Sequence, residues 1–288
     1  MPNHANTLSR RNFLKLGAAA TAATALAGFS SYAYGFNIEP FWFEVTHISL
    51  ALRRLAPAFD GYRIAQLSDI HADEWMTRER LRHVVELVNQ EQPNAVVLTG
   101  DFVSYAPDLF APTLIEALRE LTTPDGVYAV LGNHDHWTDA TVVRGILNEA
   151  HVVDVSNSVQ PLRRDNASLY ICGVDDYWEE QARLDSVLDL LPDEGAALLL
   201  AHEPDFADVS AASGRFDLQL SGHTHGGQVN IPFIGPPRLP YLGKKYPSGL
   251  YDVNGMFQYT NRGVGMVPPY VRFNCRPEIS IFTLTSAS

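Results

Sequence analysis

The chain has 288 residues, with 21 Lys and Arg against 33 Asp and Glu and a formal net charge of −12. That length allows one large domain behind a targeting segment, and the acidic balance excludes broad binding to nucleic-acid duplexes or anionic membranes. The only two cysteines, Cys172 and Cys275, exclude a disulfide scaffold, and neither sits in a thiolate-stabilising motif that would make it a nucleophile.

The chain opens with Ser9-Arg10-Arg11-Asn12-Phe13-Leu14-Lys15, which reads as a twin-arginine export signal. An Ala-rich apolar stretch follows from Leu16 to Ala27 without an acidic residue, and Ser31-Tyr32-Ala33 offers small residues for cleavage. Left uncut, the segment is near the short end of the roughly 17–25 residues that cross a bilayer and would tether the protein at its amino terminus. The expected address is therefore periplasmic, or tethered at the outer face, by way of the twin-arginine export machinery. Residues 1–35 read as signal peptide or anchor, 36–59 as a lead-in strand region and 60–288 as a single domain. Without Arg10, Arg11 and Lys15, 18 basic residues face 33 acidic ones, a balance of −15.

Past the signal, strands alternate with helices. Buried strands are expected at Tyr62–Leu67, Ala95–Leu98, Val127–Leu131, Leu169–Val174, Ala196–Leu200 and Leu218–Leu220. Leu81, Val84, Val85 and Val88 recur at helical spacing, as do Leu184, Val187, Leu188 and Leu191, so each set marks a helix with one apolar face. Leu250 to Val253, Asn254-Gly255 and Phe257 to Thr260 carry a hairpin signal, and Glu278 to Leu284 reads as a closing strand. No internal repeat or low-complexity block interrupts this alternation.

Five short polar blocks end the apolar runs: Asp69-Ile70-His71, Gly100-Asp101, Gly132-Asn133-His134-Asp135, Ala201-His202-Glu203 and Gly222-His223-Thr224-His225. Taken alone, Gly-Asp is an ordinary turn and His202 an ordinary core histidine. Their order along one chain makes them a set. Imidazoles, carboxylates and one amide oxygen without a thiolate suit Mn, Fe or Zn, and ligand sites in open α/β sheets lie at the carboxyl ends of strands. The alternating His223 and His225 would share one face if that segment is extended.

These blocks resemble the calcineurin-like metallophosphoesterase family, whose pattern runs D-x-H, G-D, G-N-H-D/E, H and G-H-x-H; the likeness covers residues 60 to 284. The run Gly222 to Gln228 and the tail Pro268 to Ile279 are similar to a YkuE-like branch of exported or membrane-tethered enzymes. The resemblance implies two packed mixed β-sheets flanked by helices, a four-layer αββα sandwich. It also implies two divalent metal ions (Mn, Fe or Zn). One would be held by Asp69, His71, Asp101 and His225, the other by Asp101, Asn133, His202 and His223, with Asp101 bridging through its two oxygens. The implied reaction is phosphodiester or phosphomonoester hydrolysis by a hydroxide between the ions. His134 is the implied transition-state stabiliser and leaving-group acid. Asp135 either orients that imidazole or caps a helix, and His136 reads as a pocket-wall or surface residue.

Pro232 to Ser248 is a Pro-rich aromatic loop, read either as a substrate lid or membrane-facing rim or as scaffold packed on the body. Lys244, Lys245, Arg262 and Arg272 are candidate phosphate contacts, and Gly226 and Gly227 would let backbone approach a phosphate. An oxidising compartment permits, without requiring, a Cys172–Cys275 disulfide. The substrate is expected to be a phosphoester, with a lipid-linked one in view. Two rivals remain at this stage: a nucleotide-lipid pyrophosphohydrolase of the UDP-2,3-diacylglucosamine type from lipid A synthesis, and a non-catalytic metal-binding envelope protein.

Overall fold

A computed structural model describes residues 9–287. In chain order its helices and strands are α1 (Arg10–Asn37), β1 (Glu44–Leu52), β2 (Tyr62–Leu67), α2 (Arg78–Gln90), β3 (Ala95–Thr99), α3 (Pro107–Leu118), β4 (Val127–Val130), α4 (Asn133–Thr138), α5 (Ala140–Glu149), β5 (Val153–Asp154), β6 (Ser158–Arg164), β7 (Ala167–Gly173), α6 (Leu184–Leu190), β8 (Ala196–Leu200), α7 (Ala207–Ala212), β9 (Leu218–Ser221), β10 (Gly249–Val253), β11 (Met256–Thr260) and β12 (Glu278–Ser286). Two six-stranded sheets result, in the orders β1-β12-β2-β3-β4-β5 and β10-β11-β9-β8-β7-β6. The first sheet is parallel except where β12 meets β2. In the second, antiparallel pairs flank the parallel run β11-β9-β8-β7.

Strand alternation builds the layers, because successive side chains point to opposite faces. Val96 and Leu98 face the core under α2, α3 and α5, while Ala95 and Val97 face the core between the sheets. On β8, Leu198 and Leu200 point between the sheets, and Ala197 and Leu199 point to the outer core that holds Val187 and Phe206. Three apolar interfaces therefore separate four layers, helices, sheet, sheet and helices, as the resemblance implied. The first expected helix is α2; the Thr77 hydroxyl accepts from Arg80 N at 3.4 Å to cap it, and Leu81, Val84, Val85 and Val88 are its buried stripe.

Residues 36–59, expected as a lead-in, supply β1, an edge strand in register with β12 along its whole length. α1 is a single helix, long and apolar enough to cross a membrane, a property that signal sequences share. Its last turns dock on the domain. Arg272 N donates to Gly35 O at 3.0 Å, Tyr34 meets Phe273 edge to face with ring centroids 6.2 Å apart, and the buried Glu39 carboxylate accepts from Asn274 N at 2.8 Å and from Cys275 N.

The segment that receives α1 is wound around Arg272, which is completely buried. Its guanidinium donates to the carbonyls of Cys275 at 3.1 Å, Arg262 at 2.9 Å, Gly263 at 3.0 Å and Gly265 at 2.7 Å. Arg272 is thus a structural latch and not a phosphate clamp. Both cysteines are free and buried in separate places, Cys172 on β7 and Cys275 with its thiol 3.2 Å from His225 O, so no disulfide joins them. Replacing Arg272 by Met strands several buried carbonyls, each costing roughly 1–3 kcal/mol. A loss of about 3 kcal/mol or more is expected in urea denaturation, and an unchanged midpoint would remove the latch.

Candidate metal centre

Every expected ligand follows a strand end: Asp69 and His71 after β2, Asp101 after β3, Asn133 after β4, His202 after β8, and His223 and His225 after β9. The two sheets thus bring their carboxyl ends to one place. The Gly222–His225 segment is not extended, contrary to expectation. His223 and His225 have φ of 72° and 52°, with Thr224 in the right-handed helical region between them, so a tight turn aims both rings inward. Asp69, His71 and Asp101 also adopt left-handed backbone, with φ of 50°, 47° and 55°. Strain gathered in this way marks functional sites. The approach is close: a Cβ at Gly222 would collide with Ser68 Oγ and Asp69 Oδ2.

The ligand atoms face one another. His71 Nε2 lies 3.1 Å from His225 Nε2, His225 Nε2 lies 3.4 Å from Asp69 Oδ1, and His71 Nε2 lies 3.4 Å from Asp101 Oδ2. In the second set, His202 Nε2 lies 3.3 Å from Asp101 Oδ2 and 3.2 Å from His223 Nδ1. Ligands bonded at about 2.0–2.2 Å to a shared ion stand about 3.0–3.5 Å apart, so both sets fit a divalent cation. The buried Asn133 Oδ1 and His225 Nδ1 find no hydrogen-bond partner among the described residues. One oxygen of Asp101, not two, faces the two sets: Oδ2 lies near both, and Oδ1 accepts from His134 N at 2.9 Å.

Second hydrogen bonds set which ring nitrogen is offered. His202 Nδ1 donates to Thr99 O at 2.7 Å and His223 Nε2 to Tyr241 O at 2.7 Å, which leaves His202 Nε2 and His223 Nδ1 as lone-pair donors. Burial pushes the His71 imidazole down to about 3 and holds His225 well below its ordinary range, so both rings are neutral ligands. Burial also pushes the Asp69 carboxyl up to about 6, against the lowering effect of His202, the direction expected of an anion far from water.

Asp135 caps and braces; it does not orient His134. Its carboxylate accepts from Gly132 N at 2.9 Å, Asp101 N at 2.9 Å, Phe102 N at 2.8 Å and Val103 N at 3.4 Å. Burial, then the neighbouring Asp101, raises it to about 7. His134 is half-buried, 4.7 Å ring to ring from His71, and its Nδ1 is 3.4 Å from Ser104 O. His136 pairs with Asp175 at 2.8 Å.

A cavity of about 660 Å³ opens beside His134 and His223. Trp137, Trp178 and Tyr241 form its aromatic wall, with centroid separations of 5.2 Å and 5.4 Å along the row. Sequence reading missed both tryptophans, although Trp137 lies three residues past His134. The buried Glu203 carboxylate holds the Trp178 loop by accepting from Tyr177 N at 3.1 Å and Trp178 N at 3.2 Å. Arg238 lines the cleft and was also missed. The other expected cations lie elsewhere. Arg262 is occupied by Glu278 and Glu44, each at 2.8 Å, and Lys245 by Asp208 at 2.6 Å, while Lys244 is an exposed neighbour of that pair. Gly226 packs on Cys275 Sγ and Gly227 on Pro236, so only Gly227 reaches the cleft.

Residues 62–227 match the calcineurin-like phosphoesterase family, and all five ligand blocks fall inside that span. The chain belongs to this family. Residues 7–27 match the twin-arginine translocation pathway signal sequence. The phosphoesterase is 36% identical over 285 residues to the metallophosphoesterase YkuE of Bacillus subtilis, covering 98% of this chain and 99% of the relative. It is 32% identical over 281 residues to the phosphodiesterase YaeI of Escherichia coli K12, covering 96% and 99%. A dimetal phosphatase from Danio rerio shares the fold, with a TM-score of 0.51 at 15% identity over 78% of this chain and 99% of that one. This phosphoesterase is a hydrolase of phosphoric esters, which displaces the non-catalytic reading.

Because Asp101 Oδ2 serves both sets, Asp101→Ala should lower bound metal at both positions and abolish turnover. Metal analysis of the purified variant checks this. Two ions at wild-type occupancy would refute the bridge.

Proposed function

We propose that this protein is a dinuclear phosphodiesterase exported by the twin-arginine route and working at the outer side of the cytoplasmic membrane. The observation that carries the reading is the shared Asp101 Oδ2, 3.4 Å from His71 Nε2 and 3.3 Å from His202 Nε2, beside a cleft with room for an organic group. Two ions held by Asp69, His71, Asp101 and His225, and by Asp101, Asn133, His202 and His223, would supply an ionised water near neutral pH and positive charge for the phosphoryl oxygens.

The residues do the rest. Asp101 fixes the spacing of the two ligand sets and, through His134 N, the entry of α4. His134 stands at the open side of the ligand cluster, within ligand distance of His71 and Asp101, where it meets the phosphoryl group and the departing oxygen. Water, having given up one proton, adds to phosphorus, the ester P–O bond breaks, and protonated His134 hands its proton to the leaving alkoxide; the proton released by the water restores His134 for the next turnover. The aromatic wall takes an organic arm of the ester and excludes water. Diester over monoester follows from that second arm, and the name of the relative YaeI agrees with it.

The test compares bis(4-nitrophenyl) phosphate with 4-nitrophenyl phosphate on metal-loaded enzyme, and the diester is expected to have the higher kcat/KM. A preference for the monoester would overturn the diesterase reading. His134→Ala should keep both metals and lose roughly 10²–10⁴-fold in kcat on an alkyl diester with a poor leaving group. Full activity there would take His134 out of the reaction. Arg10→Lys combined with Arg11→Lys should hold the protein in the cytoplasm, because the export receptor reads the arginine pair rather than the charge. Normal export in cell fractionation would defeat the address.

A further inference from the structure

Next to the cleft stands an apolar tip that the domain does not use. Ile231 pairs with Gly235 in a tight turn that projects Phe233 and Ile234, whose relative exposures are 109% and 77%. Such side chains ordinarily meet a partner or a membrane. Val229 to Pro237 and Val264 to Val271 contain no charged residue in a chain with 33 acidic ones.

Tip, cleft and α1 meet on one segment. The segment leading to the tip makes an isolated bridge from Val229 to Phe273, with Asn230 N donating to Phe273 O at 2.8 Å. The end of α1 seats on the same stretch, where a Cβ at Gly35 would lie 3.2 Å from both Val271 Cγ2 and Arg272 O. Val271 is itself a wall of the cleft, together with Val229, Pro237 and Leu239. A helix able to cross a bilayer therefore ends against the rim of the catalytic cleft, beside an uncharged projecting tip.

The geometry points to one membrane-contact surface: α1 spans the bilayer, Phe233 and Ile234 dip into its outer face, and the cleft takes the acyl or alkyl arm of a lipid-borne phosphodiester. This inference rests on the diesterase reading for its chemistry and adds the substrate class. Leu239 and the Pro-rich rim contact the chain, Trp137, Trp178 and Tyr241 flank the linkage, and Arg238 meets headgroup oxygens. Apolar residues at an interface are stabilised there in proportion to the area they bury.

Two measurements on the full chain, reconstituted in vesicles of phosphatidylethanolamine and phosphatidylglycerol, test it. The native cysteines are buried, so an environment-sensitive dye can be placed on Ile234→Cys alone. Blue-shifted emission, quenched by spin-labelled lipid, is expected there, with a water-like spectrum from the same dye at Glu149→Cys on α5. A water-like spectrum at position 234 overturns the membrane contact. The second measurement compares soluble 4-nitrophenyl methyl phosphate with its decyl analogue below its micelle concentration. The decyl ester should have about tenfold higher kcat/KM, reduced by Leu239→Asn, because added methylenes bury apolar area in the cleft. Equal kcat/KM for the two esters overturns the lipid assignment. If metal-loaded enzyme cleaves neither ester, the diesterase reading fails, while the dye still decides the membrane contact on its own.

Discussion

Asp135 carries no ligand atom, yet the ligand loops depend on it. Its buried carboxylate accepts amide hydrogens from Gly132 and from Asp101, Phe102 and Val103, tying the turn after β4 to the turn after β3. A carboxylate deep in protein is costly unless its lone pairs are satisfied, and here several amides do so. The consequence is positional. With those turns locked together, Asp101 Oδ2 stands between His71 Nε2 and His202 Nε2, and Asn133, whose buried Oδ1 has no partner among the described residues, lines the cleft beside them. Losing Asp135 would disperse the centre without touching a metal bond.

The ligand turns share a conformational cost. Asp69, His71, Asp101, His223 and His225 occupy left-handed backbone, a region that costs non-glycine residues of order 1–3 kcal/mol. Packing of the two sheets over-determines them. Ile64, Val97, Leu198 and Leu220 hold β2, β3, β8 and β9 in one core, so the turns have no room to relax. The frame therefore sets the ligand separations.

Much of this was legible in the sequence because apolar runs and polar blocks alternate so regularly. Tyr62–Leu67 and Ala196–Leu200 read directly as strands, and the Asn254-Gly255 hairpin joins β10 to β11 as expected. α3 escaped because Pro112 interrupts its pattern, α5 because Gly145 does, and β6 because it contains Pro161. The misread arginines have a different cause. A late-chain Arg in an irregular segment has the same local sequence whether it holds phosphate or four backbone carbonyls, and only burial separates the two for Arg272. Asp135 was ambiguous for the same reason, since its partners lie a strand away. The aromatic wall left no linear signal, because Trp137 and Trp178 come from separate loops drawn together by the His136–Asp175 pair and by Glu203.

The splice between α1 and the domain bears on how the protein is processed. Ala33, after which a peptidase would cut, lies inside continuous helix, and Gly35 two residues on is pinned by Arg272 N. Proteases need an opened, extended segment, so cutting here waits on local unfolding. A passenger that is folded before it meets the peptidase brings this junction already closed. Trimming then competes with the stability of the joint, and the uncut molecule keeps a short rigid stem in place of a flexible leash. With the membrane contact and lipid-borne substrate inferred above, an active site on such a stem would stay at one height above the lipid and hunt in two dimensions, its throughput following the areal density of substrate in the leaflet rather than a bulk concentration.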